Sequence, residues 1–212
     1  MILSLLLLVF QFDSLHAFQF DPLHISYATQ VVEWNQKINL ISRSPQPTVD
    51  TVLVDHVLPS LSILQTAPFQ QTESKVTLQV ADIGTGGGFP GLPLAIARPD
   101  ISFTLVDSTK KKLAAVDAMI SKLGLKNVTT RWTRAEQITD HFDIVTGRSV
   151  TNLNDFLALS KPLVKRRNGS VVYITGQSQD FARTKMRVQK ISQIQSLIPD
   201  YPRSDKQVVV FK

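Results

Sequence analysis

From Pro22 to about Ile41, apolar side chains recur every three or four residues, and Tyr27, Val31, Trp34 and Ile38 share one face of a predicted helix. The stretch "RSPQP" ends it. "VLVDHVLPSLSIL" predicts a second helical segment, bent at Pro59, whose ring removes a backbone donor. "QTAPFQQTES" reads as a polar linker. Beyond Lys75 the period changes. Short apolar runs alternate with amphipathic stretches: "KVTLQV" before "LPLAIA", "ISFTLVD" before "TKKKLAAVDAMISKLG", then "NVTTRW", "FDIVTG", the helical "NLNDFLALSKPLV" and the strand "SVVYIT". A basic helix is expected over "DFARTKMRVQKISQI" and a last strand over "QVVVFK". Such alternation predicts an α/β fold, a mostly parallel sheet covered on both faces. Its ligand belongs at the carboxyl ends of the strands.

The first residues follow another rule. "MILSLLLLVF" is too short to span a bilayer. With "LHAFQF" downstream, it reads as the hydrophobic region and small-residue cleavage site of a signal peptide, Ala17 being the last residue removed. The Ala17–Phe18 pair resembles the junction of the two-part presequences that address proteins to complex plastids. A plastid or other organellar location is the expectation, a cytoplasmic one the alternative. The chain thus divides into a targeting segment over 1–17, a helical segment over 18–70 and an α/β domain over 71–212.

Composition narrows the chemistry. The chain of 212 residues has no cysteine, which excludes disulfide frameworks, thiolate metal sites and cysteine nucleophiles. Its four histidines are scattered without ligand spacing, so no metal site is expected. A net charge of +6 and a pI near 9.7 suit a polyanionic partner such as RNA. A monomer that is not an integral membrane protein is expected.

The densest chemistry lies in "VADIGTGGGFPGLPLAIARPD", a glycine turn between a strand and a helix. Glycine in that setting implies positive φ or a ligand close enough to collide with a Cβ. Asp82, Gly84, Gly86 and Gly88 fit the D-x-G-x-G-x-G turn of S-adenosylmethionine (SAM) methyltransferases. Gly86, Gly88 and Gly91 also spell the G-x-G-x-x-G of dinucleotide-binding proteins. Asp82 is an awkward neighbour for a diphosphate and a suitable one for the cationic amino-acid end of SAM, so charge favours SAM. Asp107 closes the next strand, where it can accept hydrogen bonds from a ribose diol in either case.

"WNQKINLIS", "DIGTGGGFPGLPLAI", "TLVDSTKKK", "RAEQI" and "FDIVTGRSV" stand in the order and spacing of a known family. From Pro22 to its end the chain resembles the bacterial glucose-inhibited-division B family, SAM-dependent methyltransferases of 16S ribosomal RNA that act on guanine N7. The resemblance implies a Rossmann-like SAM-dependent methyltransferase sheet with an antiparallel C-terminal edge strand, preceded by a short N-terminal helical segment. It puts Gly84 and Phe89 against the cofactor, Asp107 at its ribose and Ala135 with Glu136 beside its adenine. Arg148 is the family's arginine after the fourth strand, near cofactor and substrate, and the candidate catalytic residue. The sequence also departs from the family. Pro59 stands where aspartate is usual, although His56 is kept, and Thr175 stands where the family carries lysine after the fifth strand.

RNA contact is expected from basic clusters around the cleft. These are Lys110, Lys111 and Lys112; Lys165, Arg166 and Arg167; and Arg183, Lys185, Arg187 and Lys190 on the basic helix. Trp34 and Trp132 are expected in the core, leaving no aromatic platform for stacked bases. Three alternatives remain open at this level: a non-catalytic RNA-binding relic, kept in play by Pro59 and Thr175; a SAM methyltransferase with a non-RNA substrate; and, remotely, an NAD-dependent oxidoreductase.

Overall fold

A computed structural model of the protein describes residues 20–70, 77–176, 181–182 and 184–212. The targeting segment expected over 1–17 lies outside them, as does Arg183.

Helix α1 (Pro22–Asn35) begins where Asp21 accepts the Leu23 N–H at 2.7 Å and Pro22 presets φ for the first turn. It stops short of Ile41 because of Asn35. That buried side chain accepts the N–H groups of Leu40 and Ile41 through Oδ1, at 2.8 and 3.0 Å, and folds the chain back across the helix end. A capping box between Thr48 and Thr51 opens α2 (Val49–Val52). One π-helical turn, Leu53–Val57, links it to α3 (Leu58–Ser62). Pro59 is the local cause: it offers no N–H to the carbonyl of Asp55, and the Leu58 N–H bonds instead to Leu53, one residue further back than in an α-helix. The expected linker starts as α4 (Ala67–Gln70), held by the buried Phe69.

The α/β part runs β1 (Gln79–Ile83), α5 (Gly91–Ala97), β2 (Ser102–Asp107), α6 (Lys110–Leu123), β3 (Val128–Trp132), β4 (Ile144–Arg148), α7 (Leu153–Ser160), β5 (Ser170–Gly176), β6 (Val188–Gln193), α8 (Ile194–Leu197) and β7 (Lys206–Phe211). The seven strands form one sheet in the order β3-β2-β1-β4-β5-β7-β6. The first five are parallel, and β7 runs antiparallel to both β5 and β6. The C-terminal strand is antiparallel as expected, with β6 outside it at the edge.

That edge strand corrects the sequence reading, which expected a basic helix there. The alternation in "VQKISQ" and the open backbone edge of β7 give this segment a ladder to join, and sheet pairing overrides its helical propensity. On the remaining strands alternate residues are buried on opposite faces. Val172, Ile174, Val208 and Val210 pack with the N-terminal helices, α5 and α6, whereas Val171, Tyr173, Val209 and Phe211 pack with α7. Burial on both faces explains why "SVVYIT" and "QVVVF" are continuously apolar. The strand order reverses between β1 and β4, and a doubly wound sheet binds ligands at the carboxyl side of such a point.

Candidate active site

The glycine turn leaves β1 at that reversal. Gly84 has φ +70°, and a Cβ there would lie 2.5 Å from Val150 Cγ1, so only glycine fits the turn. Gly88, at φ +100°, packs under Leu92 and the Tyr27 hydroxyl. The turn is clamped from outside: Tyr27 donates its hydroxyl proton to Gly87 O at 2.8 Å, and His24 Nε2 lies 3.0 Å from Pro93 O. It is clamped from within by Asp82, which is fully buried. Asp82 Oδ2 accepts from Thr85 Oγ1 at 2.6 Å and from the Gly91 N–H at 2.9 Å. Desolvation raises its pKa to about 7, against the lowering pull of those two bonds and of the Arg148 charge. Asp82 lines neither cavity of the cleft, so its visible work is to hold the turn.

Two cavities open at the carboxyl ends of the strands. The first, about 680 Å³, lies over β1 and β2 and is walled by Val106, Ala135, Val150 and Leu159, with Asp107 and Glu136 at its polar side. Asp107 accepts the Gly86 N–H through Oδ2 at 2.9 Å and the Thr109 N–H through Oδ1 at 2.8 Å. Both bonds fix the carboxylate, and each oxygen retains lone-pair capacity for a diol. An apolar slot for a planar base, an anchored carboxylate and a glycine floor match an adenosine. The residues present therefore fit SAM.

The second cavity, about 830 Å³, shares Gly84, Lys112, Ser149 and Thr151 with the first and extends toward β5 and β7. Arg148 enters it from the end of β4. Its Nη2 donates to His56 Nδ1 at 2.6 Å and its Nη1 to the Asp55 carbonyl at 3.3 Å, the acceptor that Pro59 leaves open. The guanidinium carbon sits 5.0 Å from the centroid of the Phe89 ring, against which His56 and Tyr27 also pack. Burial first, then the Arg148 charge, lowers the His56 pKa to about 3. The imidazole is thus neutral, with Nδ1 free to accept. The next residue, Ser149, has a left-handed φ of +51°, sparsely populated for a non-glycine.

Gly84, Asp107, Ala135 and Glu136 line the first cavity, whereas Phe89, Gly86 and Arg148 line the second. Gly88 and Asp82 stand behind both. Lys112 reaches both cavities, while Lys110 and Lys111 are exposed at the start of α6. Arg166 and Arg167 correct the expectation of a cleft cluster: they precede β5, at the amino end of the sheet, opposite the cavities. Lys165 beside them is paired with Asp143 at 2.9 Å. Trp132 is a further correction. It is 60% exposed rather than core, because β3 is an outer strand. Sequence reasoning missed Lys206 and Arg203, which line the second cavity. Lys206 pairs in register with Gly176, next to Thr175, and its ammonium stands 3.4 Å from Asp205, which lines the same cavity. A lysine opening the last strand is the only trace of this in the sequence.

Comparison with known proteins agrees with this geometry. The family described as rRNA small subunit methyltransferase G matches residues 22–209. Ribosomal RNA small subunit methyltransferase G of Flavobacterium psychrophilum is 38% identical over 177 residues, covering 79% of each chain. A SAM-dependent methyltransferase from Aquifex aeolicus shares the fold at a TM-score of 0.55, with 14% identity, over 91% of this chain and 98% of that one. So does a variant of MtNAS in complex with S-adenosylmethionine, at a TM-score of 0.58 and 16% identity, over 90% of this chain and 72% of the other. With a sheet of the Rossmann-like methyltransferase order and this extent of sequence identity, the chain belongs to the small-subunit rRNA methyltransferase G family.

Proposed function

We propose that the protein transfers the methyl group of SAM to N7 of a guanine in small-subunit ribosomal RNA. The observation that carries this reading is the pair of joined cavities. One has the walls and anchored carboxylate for an adenosine, and the other has a cationic wall built around Arg148. SAM supplies an electrophilic methyl on a sulfonium. Asp107 and Gly84 would hold its nucleoside, with Ala135 and Glu136 at the base.

Neutral guanine already has a lone pair at N7, so the chain need not provide a general base, and the His56 Nδ1 lone pair is taken by Arg148. What the residues must do is hold N7 in line, a contribution of about 7–11 kcal/mol when orientation is right. Arg148 is anchored through two N–H groups, which sets the direction of the rest. An arginine gripping both O6 and N7 would block the nucleophile. The reading therefore gives Arg148 to O6, a phosphate or the cofactor. Lys206 and Arg203 bring cations to the outer cavity for the RNA backbone, though Arg203 is paired with Asp55 at 3.0 Å and Lys206 with Asp205 at 3.4 Å.

The test is incubation of purified protein with labelled SAM and unmodified small subunits, followed by mapping of the label. The expected product is N7-methylguanine at a single position. Cofactor binding with no transfer to naked rRNA or to any assembly intermediate would sink the enzyme reading and leave the relic. We also propose an organellar location, supported by the apolar run and the Ala17–Phe18 pair. Recovery from cells of a chain starting near Phe18 supports it, and an intact Met1 on a cytosolic protein refutes it.

A further inference from the structure

Trp132 closes β3 with 60% of its surface exposed, more than any other large apolar side chain among the described residues. It is not loose. The indole Nε1–H donates to Ser108 O at 3.0 Å, which fixes the ring plane, and the Lys110 ammonium stands 4.8 Å from the ring centroid. The neighbours of Trp132 (Ser108, Thr133, Arg134) line the nucleotide cavity, but Trp132 itself does not. An oriented, exposed indole is therefore left over once the cofactor site has been accounted for. Beside Lys110, the next residue on α6, Lys111, and Arg134, two positions beyond Trp132, are also exposed cations.

We propose that Trp132 is a stacking platform for an unpaired base of the substrate RNA, with Lys110, Lys111 and Arg134 taking the adjoining phosphates. This rests on the ribosomal RNA reading of the active site and adds a second contact to it. Proteins engage single-stranded RNA by stacking bases on aromatic rings while cations follow the backbone. Trp132 supplies the ring, already immobilised, and a cation already drawn to it. A base that stacks on the indole displaces the Lys110 ammonium toward the phosphate beside that base. Strand β3 lies three inter-strand steps from β4, about 14 Å at the usual spacing. The base on Trp132 would then lie within a few nucleotides of the methylated guanine, close enough for the platform to help set which nucleotide reaches the cavity.

The chain has only two tryptophans, so a Trp34→Phe protein reports Trp132 alone by fluorescence. That protein is titrated with a short single-stranded oligoadenylate and with an abasic oligonucleotide of equal length and charge. The platform requires quenching by the first and little by the second. In the otherwise wild-type chain, Trp132→Ala should weaken binding to unmodified small-subunit rRNA by about fivefold or more, within the range for a lost stacked base. Trp132→Phe should retain most of the affinity, and SAM binding should be unchanged in both. Equal quenching by the abasic strand overturns the proposal, as does wild-type rRNA affinity in Trp132→Ala. So does a loss seen with assembled subunits but not with naked rRNA, which would assign the indole to a ribosomal protein. If wild-type protein methylates rRNA while Trp132→Ala binds it normally, the platform fails and the active-site reading stands. If wild type neither binds nor methylates rRNA, both fail.

Discussion

Arg148 owes its position to two acceptors on one turn of helix, the His56 ring and the Asp55 carbonyl. Losing the ring should free the guanidinium to move by an ångström or more, enough to cost about a hundredfold in transfer rate. His56→Ala should therefore lower kcat strongly while the Kd for SAM, measured by calorimetry, stays close to wild type. His56 and Asp82 bias stability in opposite directions. His56, at about 3 in the folded chain against an ordinary 6.5, binds its proton more readily when unfolded. Its contribution is complete above about pH 6.5 and is lost as pH falls toward 3. Asp82, near 7 against an ordinary 3.8, retains a proton that the unfolded chain releases, so its contribution falls as pH rises from 3.8 to 7. Urea unfolding of Asp82→Asn at pH 5 and pH 7.5 should show a smaller loss across that interval than wild type. Gly84→Val places side-chain atoms against Val150 at a positive φ, and should abolish SAM binding while far-UV circular dichroism still shows the folded sheet.

The π turn shows where reading the sequence succeeded and where it stopped. Pro59 was legible as a disturbance of the second helical segment, but a sequence shows only the donor that is lost, not the acceptor set free. The gain is tertiary, a carbonyl turned to an arginine far along the chain. Pro59→Ala should restore an α-helical bond to Asp55 O, lower kcat several-fold and leave the SAM Kd unchanged. The glycine turn and the parallel strands were legible because glycine spacing and apolar runs are local signals. Strand β6 was not, since its pairing with β7 depends on an edge that exists only in the folded sheet. Trp132 was misplaced for a related reason: its apolar character says core, while its place on an outer strand says surface. Lys206 was missed because its relation to Thr175 is one of register across an antiparallel ladder. Asn35 illustrates a local motif with a tertiary result. Removing its carbonyl in Asn35→Ala leaves two buried N–H groups unpaired, at about 1–3 kcal/mol each. Urea unfolding should register that loss.

Across the whole molecule, charge is divided between the two ends of the sheet. Lys110, Lys111 and Lys112 stand at the cofactor end, whereas Arg166 and Arg167 stand at the other. Neutralising the three lysines should weaken rRNA binding and flatten its salt dependence by roughly one log-log unit per lost phosphate contact. Neutralising Arg166 and Arg167 should leave both unchanged, a contrast that composition alone would not anticipate. The N-terminal helices complete the site as much as the sheet does: Asp55 and His56 line its second cavity, while Tyr27 and Asn35 hold the turn and the chain around it. This cleft moves a methyl group to guanine N7 if the reading of its two cavities is right, with Arg148 setting the geometry. The most direct measurement is single-turnover transfer from labelled SAM to unmodified small subunits by wild type and Arg148→Ala, with the product nucleoside identified. Wild type should yield N7-methylguanine, and Arg148→Ala a rate about a hundredfold lower with the fold retained. Equal rates in the two proteins, or label on any atom other than guanine N7, would contradict that reading.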